Sequence, residues 1–188
     1  PAGLARVPKP VQPGRLAQPD LVRGSGPVYA VNAKPEVGLT SAHPWCYRFV
    51  GPVGQQWRAT ITETGLEGRQ LPSGVLLRFS VFPVFDDVEP DVLDGYAATA
   101  VGVDVVFEDG ARLSDGGAPD QYGVPVDPRS QYEARMLAVD QWSSRTIVLR
   151  GWAGRTVDRV ELIGWVPARA DGDHGDRQQH GYVDRIDI

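Results

Sequence analysis

Five acids crowd nine residues, Asp86, Asp87, Glu89, Asp91 and Asp94, between two apolar runs. Two carboxylates facing each other across a sugar are the machinery of glycoside hydrolysis, one as acid and the other as base or nucleophile. Pro90 and Gly95 interrupt the run and no second acidic cluster pairs with it, so it reads first as a solvated loop that keeps strand ends from pairing with other chains. Loose cation binding and a catalytic use are its alternatives. The stretch Asp171-Gly172-Asp173-His174-Gly175-Asp176 is rich in oxygen ligands but lacks the order and the distal Glu of an EF-hand loop, and reads as a polar hairpin. His43, His174 and His180 are scattered, with no H-E-x-x-H and no Ser-His-Asp order, which argues against catalytic zinc and a serine triad. One cysteine, Cys46, excludes an internal disulfide framework.

The tryptophans carry another chemistry. A flat apolar face ringed by amides, carboxylates or guanidinium groups suits a sugar, whose C–H groups stack while its hydroxyls are bonded. Trp45, Trp57, Trp142, Trp152 and Trp165 are core or edge residues unless their surroundings are polar. Trp142, beside Asp140 and Gln141, and Trp165, on the polar parity of its strand, are the ligand candidates, together with Tyr122 in the loop Asp120-Gln121-Tyr122-Gly123. Counting by two from Ile188 gives Ile186, Asp184 and Tyr182, which places Asp184 on a side expected to be buried. A buried carboxylate needs an arginine or a metal, and the chain has 17 arginines.

These residues need a scaffold, and the composition suggests one. With 22 Gly and 16 Pro, turns are frequent and long amphipathic helices are hard to place. Eight prolines fall within residues 1 to 44, and residues 1–31 read as an extended Pro-rich strap or linker, with the compact domain at 32–188. Beyond it, alternation predicts strands near Trp45–Val50, Trp57–Thr64, Val75–Phe85, Tyr96–Glu108, Arg145–Arg150, Val157–Val166 and Gly181–Ile188. Val101, Val103, Val105 and Phe107 give one strand an apolar face, and Asp109-Gly110 supplies a hairpin turn after it. The expected class is all-β, a two-sheet antiparallel sandwich. A net charge of −5 with only two lysines and no basic cluster argues against a nucleic-acid partner, and no run of about 18 apolar residues argues for a membrane span. No signal peptide opens the chain, so any secretion signal is expected to have gone.

Seven ordered blocks point further: NAKPEVGLT (Asn32–Thr40), LLRFSVFPVF (Leu76–Phe85), YAATAVGVDVVFEDGARLSD (Tyr96–Asp115), APDQYGVPVDPRSQ (Ala118–Gln131), DQWSSRTIVL (Asp140–Leu149), AGRTVDRVEL (Ala153–Leu162) and the terminal GYVDRIDI. Together they resemble the β-sandwich accessory domain beside the catalytic region of secreted bacterial α-mannosidases of glycoside hydrolase family 92. The resemblance spans about residues 32 to 188. It implies a jelly roll of the galactose-binding-like kind, secreted, that binds α-mannose-containing or related glycans or braces a catalytic glycosidase domain. It also implies a structural calcium between terminal strands, with Asp184 as ligand. The chain departs from the family pattern at Asp140 and Ser143, where Asn is usual, and at Arg185, where a second aspartate is usual.

The expectation is therefore a non-catalytic carbohydrate-binding or scaffolding module, with Trp142, Tyr122, Gln141, Asp120 and Trp165 towards a glycan and Asp184 towards Ca2+. The alternatives are a catalytic glycosidase domain using Asp86–Asp94 and a subunit or adhesion domain whose ligand is a protein.

Overall fold

The computed structural model describes residues 6–8, 45–52, 56–61, 64–84, 99–134, 137, 139, 141–165 and 178–188. The acidic run Asp86–Asp94 and the Asp171–Asp176 stretch lie outside them. In chain order the elements are β1 (Arg6–Pro8), β2 (Trp45–Pro52), β3 (Trp57–Ile61), β4 (Leu76–Pro83), β5 (Val101–Phe107), α1 (Pro128–Ala134), β6 (Ser143–Val148), β7 (Val157–Gly164) and β8 (Gln178–Asp187). They build two antiparallel sheets, one ordered β1-β2-β8-β4-β6 and the other β3-β7-β5. Both sheets feed one hydrophobic core, as in a β-sandwich.

Alternation explains which face is inside. In β4, Leu77, Phe79 and Val81 enter the core while Arg78 is exposed; in β5, Val101, Val103, Val105 and Phe107 do so. Facing rows of Leu, Val, Ile and Phe remove a large apolar area from water, and at about 25 cal/mol per Å2 that burial is the main stabilising term. The Asp109-Gly110 turn forms as its sequence predicts: Gly110 has φ 83°, Asp109 Oδ1 accepts the Ala111 N–H at 3.0 Å, and Leu113 N–H returns to the Val105 carbonyl at 3.0 Å.

Three features differ from the sequence-based expectation. The strap segment contributes β1, which pairs antiparallel with β2 through Val7 and Cys46. A seven-residue helix stands at Pro128–Ala134, started by Asp127, whose Oδ1 accepts the Ser130 N–H at 2.9 Å, with Pro128 pre-set for the first turn. In β8 the pairing with β4 shifts: Ser80 faces Asp184 but Arg78 faces Asp187, three residues against two. The count by two from Ile188 crosses this shift. Val183 and Ile186 both reach the core, whereas Asp184 stands opposite Ser80, at a register position of the other face.

Candidate functional site

The segment 118–134 closes the β6 edge of the five-stranded sheet and carries two of the candidate residues, Asp120 and Tyr122. Asp120 forms an isolated bridge with Ile147, and the Gln121 side-chain amide completes the edge: its Nε2 donates to the Ser144 carbonyl at 2.9 Å and its Oε1 accepts the Thr146 N–H at 2.7 Å. One side chain thus behaves as a strand would.

Asp120 is the hub of this closure, with a side chain 1% exposed. Its Oδ1 accepts the N–H groups of Tyr122 at 2.9 Å and Val124 at 3.0 Å, shaping the loop through Gly123, whose φ is 80°. Its Oδ2 takes Arg145 Nε at 3.1 Å and Gln131 Nε2 at 3.2 Å. Arg145 is opposite Phe79 in the ladder, so its guanidinium enters the sandwich from the core side, where only a close partner offsets desolvation. Gln131 Oε1 accepts from the same Nε at 3.2 Å, and Arg145 Nη1 donates to the Ser144 carbonyl at 2.8 Å. The Tyr122 ring lies against this cation, 5.3 Å from Cζ to ring centroid. The Asp120 carboxylate is engaged inside the protein, and what it contributes to the surface is the position of the half-buried Tyr122.

Helix α1 connects this hub to the next candidate. Gln131 points inward to Asp120, while Arg129 and Tyr132 turn to Trp165, at the far end of β7. Trp165 is half-buried, its backbone N–H bonded to the Ala100 carbonyl at 2.9 Å. Tyr132 meets its ring edge-on at 6.1 Å, and Arg129 Cζ lies 5.6 Å from its centroid. Arg129 is itself held by Glu133 one turn on, at 2.8 Å, and that hydrogen bond raises its pKa.

Trp142 and Gln141 stand elsewhere. Trp142 is only 3% exposed, edge-on to Phe82 at 5.5 Å, and Phe82 also meets Tyr182 at 6.0 Å. These rings cluster apart from the main core, on the outer side of the five-stranded sheet, whereas Tyr122 approaches from the Arg145 side. The protein itself covers the Trp142 ring, so Trp142 and Tyr122 do not form one open surface. Gln141 is buried beside it, and its Oε1 meets no hydrogen-bond partner among the described residues. The side chain of Asp184 lies outside the described residues. Near its register position, Ser80 and Ser144 share a hydroxyl hydrogen bond of 3.2 Å across β4 and β6.

A second charged cluster was not anticipated. Asp104 and Glu161 oppose each other on β5 and β7, on the face turned from the core, yet Asp104 is 0% and Glu161 5% exposed. Arg58 Nη1 donates to Asp104 Oδ2 at 2.9 Å and Arg112 Nη1 to Glu161 Oε2 at 2.6 Å. Arg159 Nε donates to Glu161 Oε1 at 2.7 Å, and Ser114 gives Asp104 both its N–H and its hydroxyl. Burial pushes the Glu161 carboxyl up, but hydrogen bonds from Arg112 and Arg159 outweigh it and hold the group below the usual glutamate value. Each carboxylate here is already surrounded by donors, which is the chemistry of a brace rather than of an acid–base pair.

Among the described residues no helix is long and apolar enough to cross a membrane. Compared with models of known protein families and with curated proteins, the chain matches none.

Proposed function

We propose that the chain is a non-catalytic binding module whose ligand is a glycan, held at Tyr122 and Trp165. The observation that carries this reading is that one closing segment, 118–134, supplies the half-exposed Tyr122, seated on the buried Arg145 of β6, and the exposed Arg129 beside the half-exposed Trp165. Each ring offers a stacking face, and the exposed Arg129 offers bonds to hydroxyls. Asp104, Glu161 and Asp120 have their oxygens committed to arginines and to N–H donors within the protein, which favours binding over hydrolysis. The seven sequence blocks supply the finer reading: a galactose-binding-like jelly roll, secreted with an α-mannosidase-type catalytic domain, with α-mannose-containing glycans as the ligand class.

Calorimetric titration with α-linked mannotriose tests it. We expect weak saturable binding that falls about fivefold in Tyr122→Ala and in Trp165→Ala, since a stacking aromatic contributes on the order of 1 kcal/mol. Absence of binding, or binding unchanged in both variants with an intact fold, overturns it in favour of a brace for a partner domain. Turnover of an aryl α-mannoside that vanishes in Asp86→Ala or Asp87→Ala overturns it in favour of catalysis. The same reading puts a structural Ca2+ at Asp184, so excess calcium raises the melting midpoint over a chelator; coincident melts remove the metal.

A further inference from the structure

The end of β7 opposite Trp165 holds another aromatic stack. The short 3-10 turn Arg150–Trp152 lays Trp152 flat on Phe107, with centroids 4.9 Å apart and planes inclined by 12°. Phe107 is 1% exposed and belongs to the core, whereas Trp152 is half-buried. The accessible part of the indole is therefore on the side turned away from Phe107. Gly116 allows this placement, because a Cβ there would come within 2.4 Å of Trp152 Cζ2.

Arg155 borders the stack without covering it. Its Cζ lies 5.1 Å from the Trp152 centroid and 5.8 Å from that of Phe107. A cation above the outer face of Trp152 would be much further from Phe107 than from Trp152, so the guanidinium sits at the rim of both rings. There it pairs with Asp109. Gln70 reaches the same end, its Nε2 donating to the Gly154 carbonyl at 2.9 Å, which leaves its Oε1 as an acceptor. The indole N–H of Trp152 has no acceptor among the described residues, unlike that of Trp57, which donates to Gln179 Oε1 at 3.0 Å.

We propose that Trp152, Arg155, Asp109 and Gln70 form a second, separate sugar site, with a neutral hexopyranose as ligand. A flat face backed by a core ring receives the axial C–H groups; the indole N–H and guanidinium donate to hydroxyls, and Asp109 and Gln70 accept from them. A purely apolar planar ligand would leave those donors and acceptors unbonded, at a cost for each. This inference rests on the glycan reading above but uses residues at the other end of an eight-residue strand, roughly 25 Å away.

Titration of the whole 15N-labelled chain with methyl α-D-mannopyranoside, followed at the tryptophan indole and arginine Nε signals, decides it. Trp152→Phe assigns the indole signal, and glycerol at equal concentration is the control. Saturable shifts at Trp152 and Arg155, with affinity about fivefold weaker in Arg155→Ala at an unchanged melting midpoint, are expected. Shifts at Trp165 alone overturn the second site and leave the first; shifts at Trp152 alone do the reverse. A linear response that glycerol reproduces overturns the second site, and no response at either ring overturns both.

Discussion

The hub at Asp120 and the cluster at Asp104 and Glu161 use the same residue types in opposite ways. At the hub one arginine meets one carboxylate, with side chains 2% and 1% exposed, and only neutral groups, the Gln131 amide and backbone N–H and C=O groups, supply further bonds. On the three-stranded sheet three arginines share two carboxylates, and those arginines keep 22% to 37% of their side chains in water. The difference teaches where redundancy resides. A buried pair without a second cation fails when one member is lost, whereas a fringe of half-solvated arginines degrades gradually.

The largest predicted effect breaks the hub. Arg145→Ala leaves Asp120 with its charge facing the sandwich interior and should cost about 3–5 kcal/mol, lowering the melting midpoint by roughly 10 °C. Arg112→Ala, by contrast, leaves Arg58 and Arg159 in place and should cost about 1 kcal/mol, because solvent already screens that pair. Thermal melts of the two variants check the ranking; equal losses would remove the distinction between the two regions.

A smaller effect sharpens the comparison through pH. The folded Glu161 carboxyl titrates below its ordinary value of 4.5, so its stabilising contribution is complete above that pH and is lost as pH falls through the lower folded value. Melting midpoints followed downward from neutral pH should therefore fall more steeply below about pH 4.5 in the native chain than in Glu161→Gln. Parallel curves would show that the arginines do not hold the charged form.

Local signals were legible in the sequence and long-range ones were not. The period-two face of β5 and the Asp109-Gly110 turn depend on neighbours in the chain, so alternation and turn chemistry located them. Asp127-Pro128 is a helix start signal of the same kind, short enough to be lost among turns. The count by two that placed Asp184 crosses a register shift in β8, an inserted residue that no such count can see. Polar neighbours made Trp142 resemble a surface residue, yet its neighbour Gln141 is itself 3% exposed. The Arg58 cluster was invisible because its members stand 46 and 103 residues apart and meet only through the ladder β3-β7-β5.

The sheet order also bears on how the chain assembles. β8 lies between β2 and β4, so two strands formed early in the chain are joined only by the last of the described elements. During synthesis β2 and β4 leave the ribosome without their shared neighbour, their ladder groups open until Gln178–Asp187 emerges. Closure of that sheet is then a late, non-local step that carries its loop entropy before any ladder bond offsets it, the pattern of slow folding. Until then the nascent chain exposes two strand edges to its neighbours, which makes the interval before β8 arrives the period of greatest aggregation risk.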